Sequence, residues 1–172
     1  MTDAAGDAGP ASAESSAAAL VERLVARRWT VAVAESLTGG LVVSMLVSIP
    51  GASACVRGGV VAYATPLKQT LLGVDAGLLA AEGAVHPEVA RQMADGVRAA
   101  AAVDGAAADV GIATTGVAGP AAQDGKPVGT VHIAVATPTG TRVETFSLTG
   151  TRGQIRTEAT RTALAMAVDA TG

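Results

Sequence analysis

Three aromatic residues, Trp29, Tyr63 and Phe146, are all that a chain of 172 carries, too few to build a stacking platform for single-stranded nucleic acid. Charge is scarce as well. Twelve basic residues stand against fifteen acidic ones, and the net charge of −3 offers no basic footprint for a polyanion, so nucleic acid is not an expected partner. A single cysteine, Cys55, excludes an intramolecular disulfide framework and a Cys-based zinc cluster, and it fits a reducing, cytoplasmic compartment. His86 and His132 have no partner at metal-ligand spacing, so neither a metal nor a cofactor is expected. His86, before Pro87, reads as a helix-start residue, and His132 as a satisfied histidine within a strand.

Long apolar runs are missing too. No stretch of about 20 residues is free of polar or charged positions, so the mean hydropathy of +0.42 reflects 39 alanines, and no membrane association is expected. Residues 1–16 lack the positive start and continuous apolar stretch of a signal peptide and read as a floppy Ala/Gly/Ser-rich tail. Residues 17–172 are expected to form a single domain.

The remaining pattern alternates helices and strands. Helical spacing is read over Ala17–Arg28, Leu41–Val47, Pro66–Leu72, Ala76–Ala81, Pro87 toward Val103, and Arg152–Val168. Short uncharged or β-branched runs predict strands at Thr30–Ala34, Gly59–Ala64, Asp109–Ala113, Val131–Ala136 and Val143–Leu148, the last two flanking a turn at Pro138-Thr139-Gly140. A glycine-rich loop is read from Thr114 to Gly129. These elements imply a three-layer α/β/α sandwich on a mixed, largely parallel sheet.

Ligands of such sheets collect where strands hand over to helices. Ser36 stands at the first handover, before Thr38-Gly39-Gly40, whose amides could face an anion or a developing oxyanion; alternatively Ser36 or Thr38 is simply the helix N-cap. The second handover carries Tyr63 and Lys68, one of only two lysines beside ten arginines. A desolvated lysine can lose its proton and serve as a base, which a guanidinium cannot, while the plain alternative is a solvated first-turn lysine. The loop from Thr114 to Thr130 lacks Walker A spacing, with five residues between Gly119 and Gly125 and Pro127 after Lys126, so it is no P-loop. Arg152 and Arg156, four apart at a helix start, suit either a bound anion or a solvated face.

Taken together, Ala34-Glu35-Ser36-Leu37-Thr38-Gly39-Gly40, Gly58 to Tyr63 with Lys68, Gly73-Val74, Gly83-Ala84-Val85, Thr115 to Pro120, Lys126 to Thr130 and Gly150-Thr151-Arg152 resemble the CinA C-terminal domain. The likeness runs from about Leu20 to the C-terminus. The stand-alone form of that family is nicotinamide mononucleotide deamidase, so the resemblance implies hydrolysis of the carboxamide of nicotinamide mononucleotide (NMN) to nicotinate mononucleotide and ammonia, without a metal, in pyridine nucleotide salvage. It implies Ser36 as nucleophile and Lys68 and Tyr63 as its assisting pair. It places Glu35, Thr38, Gly39 and Gly40 beside the substrate, with amides around Thr38 and Gly39 holding the oxyanion. Thr115, Gly116, Gly119 and Lys126 would line the nucleotide pocket, and Arg152 and Arg156 are the candidates for the 5′-phosphate. The chain departs from the family pattern at Leu37, where many members have cysteine, at Ala64-Thr65, and at Ala121 to Asp124, where a glycine cluster is common. A non-catalytic nucleotide-binding regulatory module is the alternative function, and a homo-oligomer is expected.

Overall fold

The computed structural model describes residues 12–172. Helix α1 (Ala13–Arg27) opens on Ser12, whose side chain accepts a hydrogen bond from the Ser15 N–H at 3.1 Å. The expected tail is thereby corrected over residues 12–16: a serine cap followed by Glu14 favours a first helical turn there, and Ser16 and Ala17 are buried. The remainder of that expected tail lies outside the described residues.

After α1 the chain forms β1 (Val31–Glu35), α2 (Leu41–Val47), a 3-10 turn at Ala52–Ala54, β2 (Val56–Val61), α3 (Thr65–Leu72), α4 (Ala76–Glu82) and α5 (Pro87–Ala100). It continues through β3 (Val110–Gly116), β4 (Thr130–Thr137) and β5 (Gly140–Ser147) to α6 (Arg152–Ala170). The strands lie in the order β2-β1-β3-β4-β5. β1 runs parallel to both neighbours, whereas β4 runs antiparallel to both β3 and β5, so the sheet is mixed with an equal parallel and antiparallel share. β1 is buried at every position, as the short uncharged run through Ala34 predicts for a central strand, and the burial extends to its last residue, Glu35.

Two strands differ from expectation in ways that matter for the site. β2 runs from Val56 to Val61, earlier than Gly59–Ala64, because β1 pairs with it from Val31↔Val56 to Glu35↔Val61 and leaves Tyr63 beyond the ladder. Val56-Arg57-Gly58-Gly59 carries no apolar signal since this edge strand is only partly covered; Gly59 is small because Val43 of α2 lies against it. β3 extends through Thr114 and Thr115 to Gly116, positions expected in a loop, because antiparallel β4 supplies partners up to Gly116↔Val131. Thr115 thus projects from a rigid strand. The histidines take the places read for them: His86 caps α5, accepting from the Glu88 N–H at 3.2 Å, and buried His132 pairs its Nδ1 with Thr145 Oγ1 at 2.9 Å.

The two faces of the sheet are filled differently. Leu20, Leu24, Val33, Leu46, Ile112, Ile133, Ile155 and Leu164 join β1, β3 and β4 to α1, α2 and α6. On the other face Ala32, Ala34, Ala90, Ala94, Ala113, Ala134 and Ala136 dominate, and among its buried apolar residues only Met93, Leu72 and a few valines are larger. Backbones therefore approach closely there. A Cβ on Gly96 of α5 would fall 1.8 Å from the Leu72 carbonyl oxygen of α3, and one on Gly111 of β3 would fall 2.0 Å from the Ala94 carbonyl oxygen. Gly96→Ala and Gly111→Ala are each expected to destabilise the fold by about 1–3 kcal/mol, read from urea midpoints, because a methyl group must displace main chain. Gly153→Ala in α6, with open space around its Cβ, is expected to stay within about 0.5 kcal/mol of the parent.

Candidate active site

Ser36 follows the last residue of β1, and its N–H donates to the Thr114 carbonyl of β3 at 3.0 Å, extending the strand pairing by one residue. The chain then reverses through Leu37 to Gly40. The Gly39 N–H closes the turn on the Ser36 carbonyl at 3.2 Å, and Gly39 and Gly40 take φ of +61° and +99°, where a side chain would be strained. Neither Ser36 nor Thr38 caps α2, which removes that plain alternative for both. Gly40 is the N-cap and has no side chain to offer; the fully buried Glu35 carboxylate does this work, accepting from the N–H groups of Gly40 (2.9 Å), Val42 (3.2 Å) and Val43 (2.9 Å). Thr38 is also enclosed, its Oγ1 2.7 Å from Thr114 Oγ1.

Lys68 meets Ser36 from the opposite element. It lies in α3, where Pro66 occupies the first turn, and its side chain is fully buried, not solvated. Nζ sits 3.1 Å from Ser36 Oγ and donates to the Ala62 carbonyl at 2.7 Å. Burial pushes the lysine down to about 8, against a smaller opposing pull from the negative charge of Asp124. The free amine, the form able to take a proton from the hydroxyl, is thereby brought within reach of neutral pH.

Ser36, Lys68, Tyr63, Thr115, Gly116, Gly119 and Arg152 all border one cavity of about 150 Å³. Leu37, Ala84, Val85 and Gln123 complete much of its wall. Thr115 is held by donating to the Ala84 carbonyl at 2.7 Å, and Gly116 is small because a Cβ there would lie 2.5 Å from the Thr130 carbonyl oxygen. Tyr63 departs from its expected place beside the serine and lysine. Lying beyond the β2 ladder, it is 59% exposed, and its hydroxyl accepts from Arg152 Nη2 at 3.0 Å at the rim, while Arg152 Nη1 donates to the Gly119 carbonyl at 2.6 Å.

Five further expected site residues lie behind the cavity lining and brace the serine turn instead. Glu35 and Gly40 face each other across the start of α2, Thr38 pairs with Thr114, and the Gly39 N–H is consumed by the turn. The Arg156 guanidinium donates to the carbonyls of Leu37 (2.9 Å) and Thr38 (3.0 Å) and is not a free phosphate ligand. Lys126 lies outside the cavity wall, since reciprocal backbone bonds between Gln123 and Lys126 form a tight turn through Asp124 and Gly125, both at positive φ. Within that turn Asp124 accepts from the Ala84 N–H at 3.1 Å and pins the glycine-rich loop over the cavity. In the sequence Gln123 and Asp124 stand out only as a departure from the family's glycine cluster, although Asp-Gly is a hairpin-turn signal. Among the described residues no cluster of three or more His, Cys, Asp or Glu side chains is assembled for a metal, and no helix is long and apolar enough to cross a membrane.

Residues 13–171 match the family model described as the CinA C-terminal domain. A CinA-like protein of Frankia casuarinae is 55% identical over 141 residues, which cover 82% of this chain and 31% of that protein. A CinA-like protein of Anaeromyxobacter dehalogenans is 51% identical, covering 84% of this chain and 35% of its own length. The chain thus spans about a third of the length of these curated relatives. Among solved structures, a competence-damaged protein (CinA) superfamily protein from Enterobacter cloacae superposes with a TM-score of 0.91 at 26% identity, covering 100% of this chain and 99% of that one. The competence damage-inducible protein A of Klebsiella pneumoniae gives 0.85 at 31% identity, covering 92% and 96%.

The buried lysine has a consequence for stability. Its pKa is lower in the folded chain than in the unfolded one, so the fold carries the full cost of a buried ammonium below about pH 8 and sheds it as pH climbs toward 10.5. Lys68→Met lacks this group. From pH 7 to pH 10.5 the parent is expected to gain about 3 kcal/mol relative to Lys68→Met, measured by urea unfolding at each pH.

Proposed function

The chain belongs to the CinA C-terminal domain family, and on that premise we propose that it is a serine amidohydrolase releasing ammonia from the carboxamide of NMN, as a step of pyridine nucleotide salvage. The observation that carries this reading is the 3.1 Å approach of a buried, proton-shedding Lys68 to Ser36 Oγ at a cavity wall. A cavity of about 150 Å³ suits an aromatic ring bearing an amide. The ribose phosphate would lie over the rim, where Arg152 is the cation bordering the opening besides Lys68.

In the reacting form the Lys68 amine accepts the Ser36 hydroxyl proton while its own N–H to the Ala62 carbonyl keeps the lone pair aimed. Ser36 Oγ bonds to the carboxamide carbon, and the carbonyl electrons move to oxygen. The Leu37 and Thr38 N–H groups have no partner among the described residues, and they receive that oxyanion in place of Gly39. As the C–N bond breaks, the Lys68 ammonium returns its proton to nitrogen and ammonia leaves. Water then attacks the acyl-serine with Lys68 again as base, releasing nicotinate mononucleotide. Arg152 holds the Tyr63 hydroxyl and the Gly119 carbonyl together at the mouth, and its guanidinium and the Tyr63 O–H can donate to a phosphate when substrate arrives.

Purified protein is expected to release ammonia from NMN, with kcat/KM rising through an apparent pKa of about 8. Ser36→Ala is expected to abolish release, and Lys68→Arg, which cannot shed its proton, to lower kcat by at least about 10²-fold. Ammonia release by Ser36→Ala at the parent rate would remove the nucleophile. Calorimetric binding of NMN by the parent without ammonia release would select the alternative, a non-catalytic nucleotide-binding regulatory module.

A further inference from the structure

Arg156 is spent on backbone, and the backbone it holds is the serine turn. From the second turn of α6 its Nε donates to the Leu37 carbonyl at 2.9 Å and its Nη2 to the Thr38 carbonyl at 3.0 Å. Gly39 leaves room for this: a Cβ there would come within 3.3 Å of Nη2. A planar fork can hold two successive carbonyls at once, which a lysine ammonium on its flexible stem does not reproduce.

In a trans peptide the C=O and N–H bonds point in opposite directions. Fixing the Leu37 oxygen therefore fixes the Thr38 N–H on the opposite side of the turn. Ser36 and Leu37 border the cavity and Arg156 does not, so the guanidinium grips the turn from behind the cavity wall. The amides just downstream are consumed, Gly39 by the Ser36 carbonyl and Gly40, Val42 and Val43 by Glu35. What remains unpaired among the described residues of the turn is the N–H of Leu37 and of Thr38.

The geometry points to Arg156 as a positioning residue that orients and polarises the Thr38 N–H for the oxyanion, by a charged grip on the Leu37 carbonyl of the same peptide, with the Thr38 carbonyl as its second anchor. A cation on the oxygen of a peptide draws electron density from its nitrogen and strengthens the N–H as a donor. This assignment rests on the reading of Ser36 as nucleophile.

The test compares the parent with Arg156→Ala and Arg156→Lys in two assays: steady-state ammonia release from NMN, and the second-order rate at which a fluorophosphonate labels Ser36, followed by mass spectrometry. Arg156→Ala is expected to lose about 10²-fold in both kcat and labelling rate, the loss seen when an oxyanion donor is removed. KM is expected to stay unchanged and the rising limb near pH 8 to stay in place. Arg156→Lys is expected to recover little, and added methylguanidinium to restore part of the Arg156→Ala rate. Parent-like kcat and labelling in a folded Arg156→Ala would overturn the assignment. So would a rise in KM with kcat intact, which would make Arg156 a phosphate ligand. Should Arg156→Ala not fold, Arg156→Gln and Arg156→Lys carry the same comparison, and parent-like labelling in either overturns it. A parent that labels at Ser36 yet releases no ammonia from NMN removes the amide reading alone, and the labelling rates still decide Arg156. A parent that neither labels nor releases ammonia removes both.

Discussion

The fold is arranged around keeping one amine out of water within reach of one hydroxyl. A buried lysine is costly, and here its cost is tolerated by giving Nζ only two partners, the Ala62 carbonyl and Ser36 Oγ. That set matches a neutral amine well: one N–H to donate to the carbonyl, one lone pair to accept from the serine. The environment thus shifts the balance toward the protonation state that chemistry at Ser36 needs, and Asp124 on the covering loop keeps the shift moderate.

Around the serine, backbone polarity is sorted by charge. Glu35 collects donors at the start of α2, Arg156 collects acceptors in the turn before it, and each comes from an element already fixed by the core. An acid and a base therefore grip the two ends of a five-residue reversal. A loop with two glycines at positive φ would otherwise sample many conformations; held this way it presents one.

Much of this was legible in the residues. The strand, turn and helix around Ser36, the helix start at Pro66 and the closing hairpin follow from apolar spacing and turn chemistry, and the motifs around Ser36, Lys68 and Thr115 carried the family resemblance. The burial of Lys68 was not legible from periodicity, since α3 turns Lys68 and Leu72 inward while Leu67 and Leu71 stand 38% and 48% exposed. A helix that hides its lysine and shows two of its three leucines contradicts its own pattern, and such contradictions mark functional positions. The fates of Glu35 and Arg156 were hidden for a different reason: which backbone groups lack partners is decided by how the turn closes, and spacing along the chain does not encode it. Lys126 was misplaced because one tight turn separates it from Gln123, which does reach the cavity.

The alanine-rich face also sets a length. Lys68 reaches the end of β1 from α3, and α3 is seated on α5, where Gly96 lets the Leu72 main chain come into contact. α5 in turn lies close on the alanines of β1, β3 and β4, with Gly111 admitting the Ala94 carbonyl, so α3 takes its position from that thin layer. The unusual alanine content of the chain thus acts partly as a spacer gauge, and enlarging this layer would move the amine out of range of the serine without touching either residue.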